Sequence, residues 1–107
     1  MGSFQIFQRL AVVNGVDAYS QPFPMQNANA FRIGTLVYSN SATSLSLTPE
    51  GSVDGQNWHD LTAATGLTVG YSTFTQSSIT DAMVRLRASV VGTGVIILAS
   101  EAWTSQQ

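Results

Sequence analysis

The chain has 107 residues and a formal net charge of −2, with four arginines against six acidic residues. This length fits a single domain over residues 1–107 and leaves no room for a second. Charged residues make up only 9% of the chain, against roughly 25% in an ordinary soluble domain, whereas 44% hydrophobic residues supply a core. The composition excludes intrinsic disorder, and the absence of cysteine excludes disulfides, thiolate zinc sites and cysteine nucleophiles.

The start of the sequence shows no targeting signal. Residues 1–13 lack a basic segment, and Gln5, Gln8 and Arg9 interrupt any apolar run. The longest uninterrupted apolar run covers residues 95–99, which is far too short to span a bilayer. We therefore expect neither a signal peptide nor a transmembrane segment, and no membrane partner.

The first segment alternates apolar and polar residues, which is the period of a half-buried strand. Its apolar residues of one parity are Phe4, Ile6, Leu10 and Val12. The pair Asn14-Gly15 follows and predicts a turn, because asparagine and glycine both tolerate positive φ. Pro22 and Pro24 bracket Phe23, so we interpret this stretch as a loop or a sheet edge and not as a central strand.

Two further strands are predicted in the middle of the chain, over residues 31–39 and 43–48. In the first strand, Phe31, Ile33, Thr35 and Val37 share one face, opposite Arg32, Leu36 and Tyr38. In the second strand, Leu45 and Leu47 point inward. Residues 61–71 contain several turn formers and predict short strands with bends. Residues 72–78 are rich in serine and threonine and are interpreted as an exposed strand or a loop.

The segment over residues 79–103 predicts a β-hairpin closed by the loop Gly92-Thr93-Gly94. Pairing across that loop gives one apolar face, whose facing pairs are Val90–Ile96, Ala88–Leu98, Leu86–Ser100 and Val84–Ala102. The opposite face then pairs Arg85 with Glu101 across the two strands. A slip of one residue would bring Arg85 among the core residues, which burial forbids.

Several short strands separated by turns, with no helical periodicity of any length, predict an all-β protein. The fold class that these observations favour is a single antiparallel β-sandwich. A jelly-roll-like topology is preferred over an immunoglobulin-like one, because the Cys–Trp–Cys pattern of true immunoglobulin domains is absent.

The sharpest local motif is Ser-Val-Asp-Gly-Gln-Asn-Trp, which begins at Ser52. Asp54 and Gly55 suit a tight turn, because aspartate tolerates positive φ and glycine prefers it. With Ser52 and Trp58 they form an S-x-D-G-x-x-W pattern. This pattern resembles the turn of discoidin-like and related jelly-roll sandwiches, which include sugar-binding modules and many phage or cell-surface accessory domains. The resemblance extends loosely to the strand over residues 79–87.

Two interpretations of this turn stay open. In the structural one, Val53 and Trp58 bracket the turn and the indole packs on the end of the sandwich. In the other, an exposed Trp58 stacks on a sugar ring. We expect the structural role, because a buried tryptophan stabilises such a turn in any sandwich and a single loop aromatic is weak support for binding.

No constellation of residues predicts catalysis, so we expect that the chain is not an enzyme. His59 and Asp60 are adjacent, but a nucleophile, a base and an orienting group are needed within mutual reach. The acidic residues that calcium would need are scattered along the chain: Asp17, Glu50, Asp54, Asp60 and Asp81. We expect no cofactor and no metal. The arginines are too few for a nucleic-acid groove: Arg9, Arg32, Arg85 and Arg87.

Two functions from different classes stay open. The first is a structural subunit that self-assembles into, or decorates, a larger particle or filament, such as a phage capsid decoration subunit located in the virion. The alternative is a carbohydrate-binding module, with a glycan as its partner. An exposed strip of two or three aromatic residues on one face would favour sugar binding. A large apolar or Ser/Thr-rich contact face would favour assembly.

Edge strands of isolated sandwiches are commonly protected by lysine, inward charges, proline or covering loops. This chain contains no lysine and few ionic residues, so charge gives little protection against pairing with other copies. The segment over residues 1–13 is therefore predicted to exchange between subunits of a homo-oligomer. Its apolar side chains are Phe4, Ile6, Phe7, Leu10 and Val12. The alternative is a monomer whose edge is covered by the loop with Pro22 and Pro24.

Overall fold

The computed structural model describes residues 2–26, 28–40, 44–65 and 67–105. Within these residues the strands are β1 (Gly2–Val13), β2 (Ala18–Tyr19), β3 (Phe23–Pro24), β4 (Ala30–Asn40), β5 (Ser44–Ser52), β6 (His59–Asp60), β7 (Gly70–Gln76), β8 (Met83–Val91) and β9 (Val95–Ser105). The described ranges contain no helix capable of crossing a bilayer. The prediction of an all-β protein is confirmed.

The strands form two antiparallel sheets. The first has four strands in the order β1-β9-β4-β7, and the second has five, in the order β2-β8-β5-β6 with β3 also paired to β8. Because β2 and β3 pair with successive parts of β8, they act as one interrupted strand along the same edge. Among the other described strands, β5 and β6 alone are both consecutive and paired, and the remaining connections cross between the sheets. This is the strand order of a jelly roll, which confirms the predicted fold class.

The core lies between the two sheets and receives side chains from both. Along β8 and β9 every second residue is buried, namely Val84, Leu86, Ala88, Val90, Ile96, Leu98, Ser100, Ala102 and Thr104. The face of β4 that carries Phe31, Ile33, Thr35 and Val37 is buried as well, and so are the predicted inward residues of β5, Leu45 and Leu47. Each large apolar side chain removed from water stabilises the fold by roughly 1.5–3 kcal/mol, so this layer holds the sheets together.

The predicted hairpin between β8 and β9 is wrong, because the two strands lie in different sheets. Val90 pairs with Leu45 of β5, whereas Ile96 pairs with Asn40 of β4. Both glycines of the loop over residues 92–94 have positive φ, but the loop carries the chain from one sheet to the other. An alternating pattern specifies which face of a strand is buried. It leaves open whether the apolar partner lies beside the strand or across the core.

β1 is an edge strand of the four-stranded sheet and pairs with β9 of its own chain. Its register shifts between Gln5 and Phe7 and again between Phe7 and Leu10, and Arg9 has a φ of 32°. These irregularities turn Phe7 into the core, which strict alternation with Phe4 and Ile6 does not allow. The other side chains of the predicted exchange strand also pack in or against this core: Phe4, Ile6, Leu10 and Val12.

The turn and edge predictions have mixed outcomes. The chain turns at Asn14-Gly15 as predicted, with Gly15 at a φ of 85°. β3, which contains Pro24, lies at the edge of its sheet, as Pro24 and the preceding Pro22 predict. Between β6 and β7 the described residues form one isolated bridge, from Ala64 to Leu47, instead of the predicted short strands. Thr43, predicted to begin a strand, lies outside the described residues.

Candidate functional site

The predicted turn motif joins β5 to β6, and its own residues saturate the Asp54 carboxylate. One oxygen accepts hydrogen bonds from the backbone N–H groups of Gln56 and Asn57, at 2.8 and 2.9 Å. The Asn57 side chain donates to the other oxygen at 2.7 Å, and the Ser52 hydroxyl donates to Asp54 at 3.0 Å. Ser52 also accepts from the Gly55 N–H at 2.8 Å. The bonds from Asn57 and Gln56 hold the pKa of Asp54 well below its usual range.

Trp58 packs against an arginine on the outer face of the five-stranded sheet. The guanidinium carbon of Arg85 lies 4.3 Å from the centre of the Trp58 ring and 4.7 Å from that of Tyr19. The guanidinium therefore makes cation–π contacts with two aromatic side chains. Val53, which is predicted to bracket the turn, is 74% exposed.

The predicted cross-strand pair of Arg85 with Glu101 is wrong, because these residues lie in different sheets. Arg85 donates from Nε to Glu50 at 2.6 Å, and Arg87 donates to the other Glu50 oxygen at 2.8 Å. Arg87 also pairs with Asp60 at 3.3 Å. Glu50 is only 5% exposed, and its burial is made possible by the two guanidinium groups. The correction follows from the topology, since β5 is the neighbour of β8 and β9 is not.

His59 pairs with Asp81 at a distance of 2.8 Å beside the backbone of Gly51. A Cβ atom on Gly51 would overlap the Asp81 carboxylate, so glycine makes room for this buried acid. The hydrogen bond and the charge of Asp81 raise the pKa of His59. In the described part of the chain no serine hydroxyl bonds to His59. The described residues also contain no group of three or more potential metal ligands among His, Cys, Asp and Glu.

A groove of about 200 Å³ lies on the outer face of the four-stranded sheet, at Gly34. A Cβ atom on Gly34 would overlap the Tyr71 hydroxyl and would lie 3.0 Å from Cζ3 of Trp103. The two aromatic side chains therefore pack close to the backbone of Gly34, in the space that a side chain at this position would occupy. Leu36 and Glu101 also line the groove, and Glu101 lies directly opposite Gly34 on β9.

The same face carries three aromatic side chains from three neighbouring strands, with a cation at two of them. Arg32 lies over the Trp103 ring at 4.5 Å, and Arg9 lies over the Tyr38 ring at 5.1 Å. Tyr71, in contrast, is 58% exposed and stacks on no described cation. An exposed strip of two or three aromatic residues is the feature expected to favour sugar binding, and of these three Tyr38 and Tyr71 are exposed, at 46% and 58%.

Sequence reasoning missed this groove. A glycine inside a predicted strand indicates close approach by another group, and Gly34 carried that signal. The residues that approach it are Tyr71 and Trp103, which follow Gly34 in the sequence by 37 and 69 residues. Their arrival at Gly34 depends on the β4–β7 and β4–β9 pairings, which no local pattern specifies.

The strand order defines a jelly-roll β-sandwich. Its described residues contain no cluster of potential metal ligands. No protein-family model matches the chain, and no curated protein matches it in sequence. Among solved structures, the chain is similar to the SPBc2 prophage-derived protein YomS, with a TM-score of 0.62 and 12% sequence identity. The match covers 97% of this chain and 92% of that chain. At this identity the likeness shows the fold alone.

Proposed function

We propose that this chain is a non-enzymatic structural subunit that self-assembles into, or decorates, a phage-related particle, with the virion as its location. The observation that carries the proposal is the edge strand β7. It ends the four-stranded sheet, and its sequence Gly-Tyr-Ser-Thr-Phe-Thr-Gln contains no charged residue and no proline. Such an edge presents unpaired backbone N–H and C=O groups to a second copy of the chain.

The opposite edge of the same sheet is less suited to pairing. β1 contains two register shifts, and Arg9 within it adds both a charge and a positive φ. Bulges and charges interrupt the row of backbone groups that an incoming strand needs. Exchange of β1 would also require Phe7 and Val12 to leave the core before the strand of another copy replaces them. The proposal therefore assigns assembly to β7 and not to the predicted strand over residues 1–13.

Two β7 strands of different copies can pair antiparallel about a two-fold axis, which joins their sheets into one continuous sheet. The outward side chains of β7 are Tyr71, Thr73 and Thr75, and tyrosine and threonine are residues favoured in strands. Pairing along β7 desolvates no charged side chain of that strand. It therefore avoids the largest electrostatic cost of forming an interface.

Two further observations support a particle component. The chain as a whole is only 9% charged, so its remaining surface also allows close contact between subunits. The structural likeness to a prophage-derived protein covers nearly the whole chain and is consistent with a phage-related origin for the fold.

The non-enzymatic part of the proposal is supported by how the acidic residues and the histidine are used. Glu50 and Asp60 pair with arginines, and Asp81 pairs with His59. Asp54 accepts the hydrogen bonds of its own turn. Each of these groups has a partner within the fold.

Light scattering coupled to size-exclusion chromatography tests the proposal by measuring mass in solution. The full chain is expected to run as a dimer or a larger assembly at high protein concentration. Thr73→Lys and Thr75→Lys place a charge on the β7 edge and should reduce the mass to that of one chain. Thr93→Lys makes the same change in the exposed loop after β8 and is the matched control. An unmodified chain that stays monomeric at millimolar concentration would overturn the proposal.

A further inference from the structure

We propose that the groove at Gly34 binds one pyranose ring of a carbohydrate. Tyr71 offers an exposed aromatic face, and the C–H-bearing face of a sugar ring stacks on such a surface. Glu101 lies opposite Gly34 on the next strand, where its carboxylate accepts hydrogen bonds from sugar hydroxyls. Leu36 completes the apolar wall of the groove.

The groove is preformed, because the β4 backbone at Gly34 forms its floor and no side chain of that residue has to move. Gly34 lacks a side chain, and the Tyr71 and Trp103 rings rest on it from opposite sides. Directly opposed residues of neighbouring strands have Cβ atoms about 4.5–5.5 Å apart, so Glu101 is held close to this floor. The volume of about 200 Å³ is below the roughly 300–1,000 Å³ of pockets for drug-sized ligands. A single ring, with the rest of a glycan extending into solvent, suits that size.

A neutral sugar suits this groove better than an organic cation does, although aromatic rings and a carboxylate also attract cations. Arg32 lies two residues from Gly34 on the same face of β4, and its guanidinium already covers Trp103. Arg9 covers Tyr38 further along the same face. These two positive charges repel a cationic ligand and leave the binding of a neutral sugar unaffected.

The groove shares Tyr71 with β7, but through Glu101 its sugar binding can be tested separately from assembly. Glu101 lies on β9, which is separated from β7 by β4, so changing Glu101 alters the groove and leaves the β7 edge intact. Loss of sugar binding with unchanged mass and loss of mass with unchanged sugar binding are therefore distinguishable results.

The test is a titration of the ¹⁵N-labelled full chain, followed by ¹H–¹⁵N correlation spectra. The probes are maltose, cellobiose, lactose, N,N′-diacetylchitobiose and, as the cationic alternative, choline. We expect at least one disaccharide to shift the amide resonances of Gly34, Tyr71 and Glu101 in a saturable manner. The inference is overturned if none of the four does so, if choline alone binds there, or if the shifted resonances cluster elsewhere, for example around Trp58.

Three variants then test the contacts, each after its circular dichroism spectrum shows a folded protein. Tyr71→Ala and Glu101→Gln should each raise the Kd of the bound disaccharide by at least about tenfold. Gly34→Ala should do the same, because its methyl group displaces the exposed Tyr71 ring. Tyr19→Ala removes an exposed tyrosine from the other sheet and should leave the Kd unchanged. Equal Kd values for all four variants would contradict the assignment.

Discussion

The Asp81 carboxylate and the His59 imidazole lie 2.8 Å apart, and they differ sharply in exposure. The side chain of Asp81 is 7% exposed, whereas that of His59 is 59% exposed. The pair connects the short strand β6 to the segment that precedes β8. A buried acid is thus held by a solvent-accessible base, so the strength of this connection depends on the pH of the solution.

Lowering the pH from about 8 to about 6 is expected to raise the Tm. The Asp81 hydrogen bond and charge raise the pKa of His59 in the folded state. A group with a raised folded pKa stabilises the fold fully below its unfolded value of about 6.5, and this stabilisation is lost as the pH rises through the folded value. His59 is the only histidine in the chain, so its titration is the main source of the change in Tm over this pH range. His59→Gln keeps a hydrogen-bond donor and should abolish the rise; an equal rise in this variant would contradict the assignment.

Leu86→Ala and Leu98→Ala should each lower the free energy of unfolding by roughly 2–5 kcal/mol, as measured by urea denaturation. Both side chains are fully buried, Leu86 in the five-stranded sheet and Leu98 in the four-stranded sheet. Leu36→Ala is the matched control on the outer face, where the expected cost is below about 1 kcal/mol. Equal costs at all three positions would mean that the two inner faces do not form the core.

Glu50→Ala should be strongly destabilising, by about 3 kcal/mol, whereas Glu101→Ala should change stability by less than about 0.5 kcal/mol. Removal of Glu50 leaves Arg85 and Arg87 without their shared partner on a crowded face. Glu101 is exposed, and none of the described ion pairs includes it. Urea denaturation of the two variants measures the difference in their free energies of unfolding. A larger loss of stability for Glu101→Ala would contradict the ion pairs of Glu50 and favour the predicted pair of Arg85 with Glu101.

Trp58→Ala should lower the Tm, because it removes one of the two aromatic rings that contact the Arg85 guanidinium. A cation–π contact of this kind is worth about 0.5–2 kcal/mol. Trp58→Phe retains an aromatic face over the guanidinium and should recover most of the loss. If the Tm of Trp58→Ala is unchanged and binding to a glycan array disappears instead, Trp58 is a binding residue and not a structural one.

The alternation of apolar residues was sufficient to predict the fold class and how the side chains of the central strands divide between two faces. Leu45 and Leu47 are buried as predicted, and Ile33 and Val37 share one buried face as their common parity requires. The same argument reaches its limit at Phe7. Its burial depends on register shifts in β1, and a bulge leaves no clear mark in an otherwise alternating sequence.

Pairing partners could not be predicted in the same way. The apolar side chains of Val84 to Val90 complement those of Ile96 to Ala102 equally well across a core and side by side. The pattern therefore favoured a hairpin, although the two strands lie in different sheets. The jelly-roll topology, predicted from the same sequence, already places successive strands in opposite sheets. The partner of Arg85 and the neighbours of Gly34 depend on that topology, which is why the site residues were harder to predict than the core.

The insertion of β9 between β1 and β4 determines when the molecule can be completed during synthesis. β1 ends at Val13 and its partner begins at Val95, so roughly 4–16 s of translation separate them at 5–20 residues per second. Until then β1 and β4 lack the strand that joins them, and Phe7 and Val12 lack much of the core that buries them. Pairings over such distances also slow folding, since loop-closure entropy is lost before contacts form. The nascent chain therefore exposes apolar side chains of β1 until β9 has been synthesised.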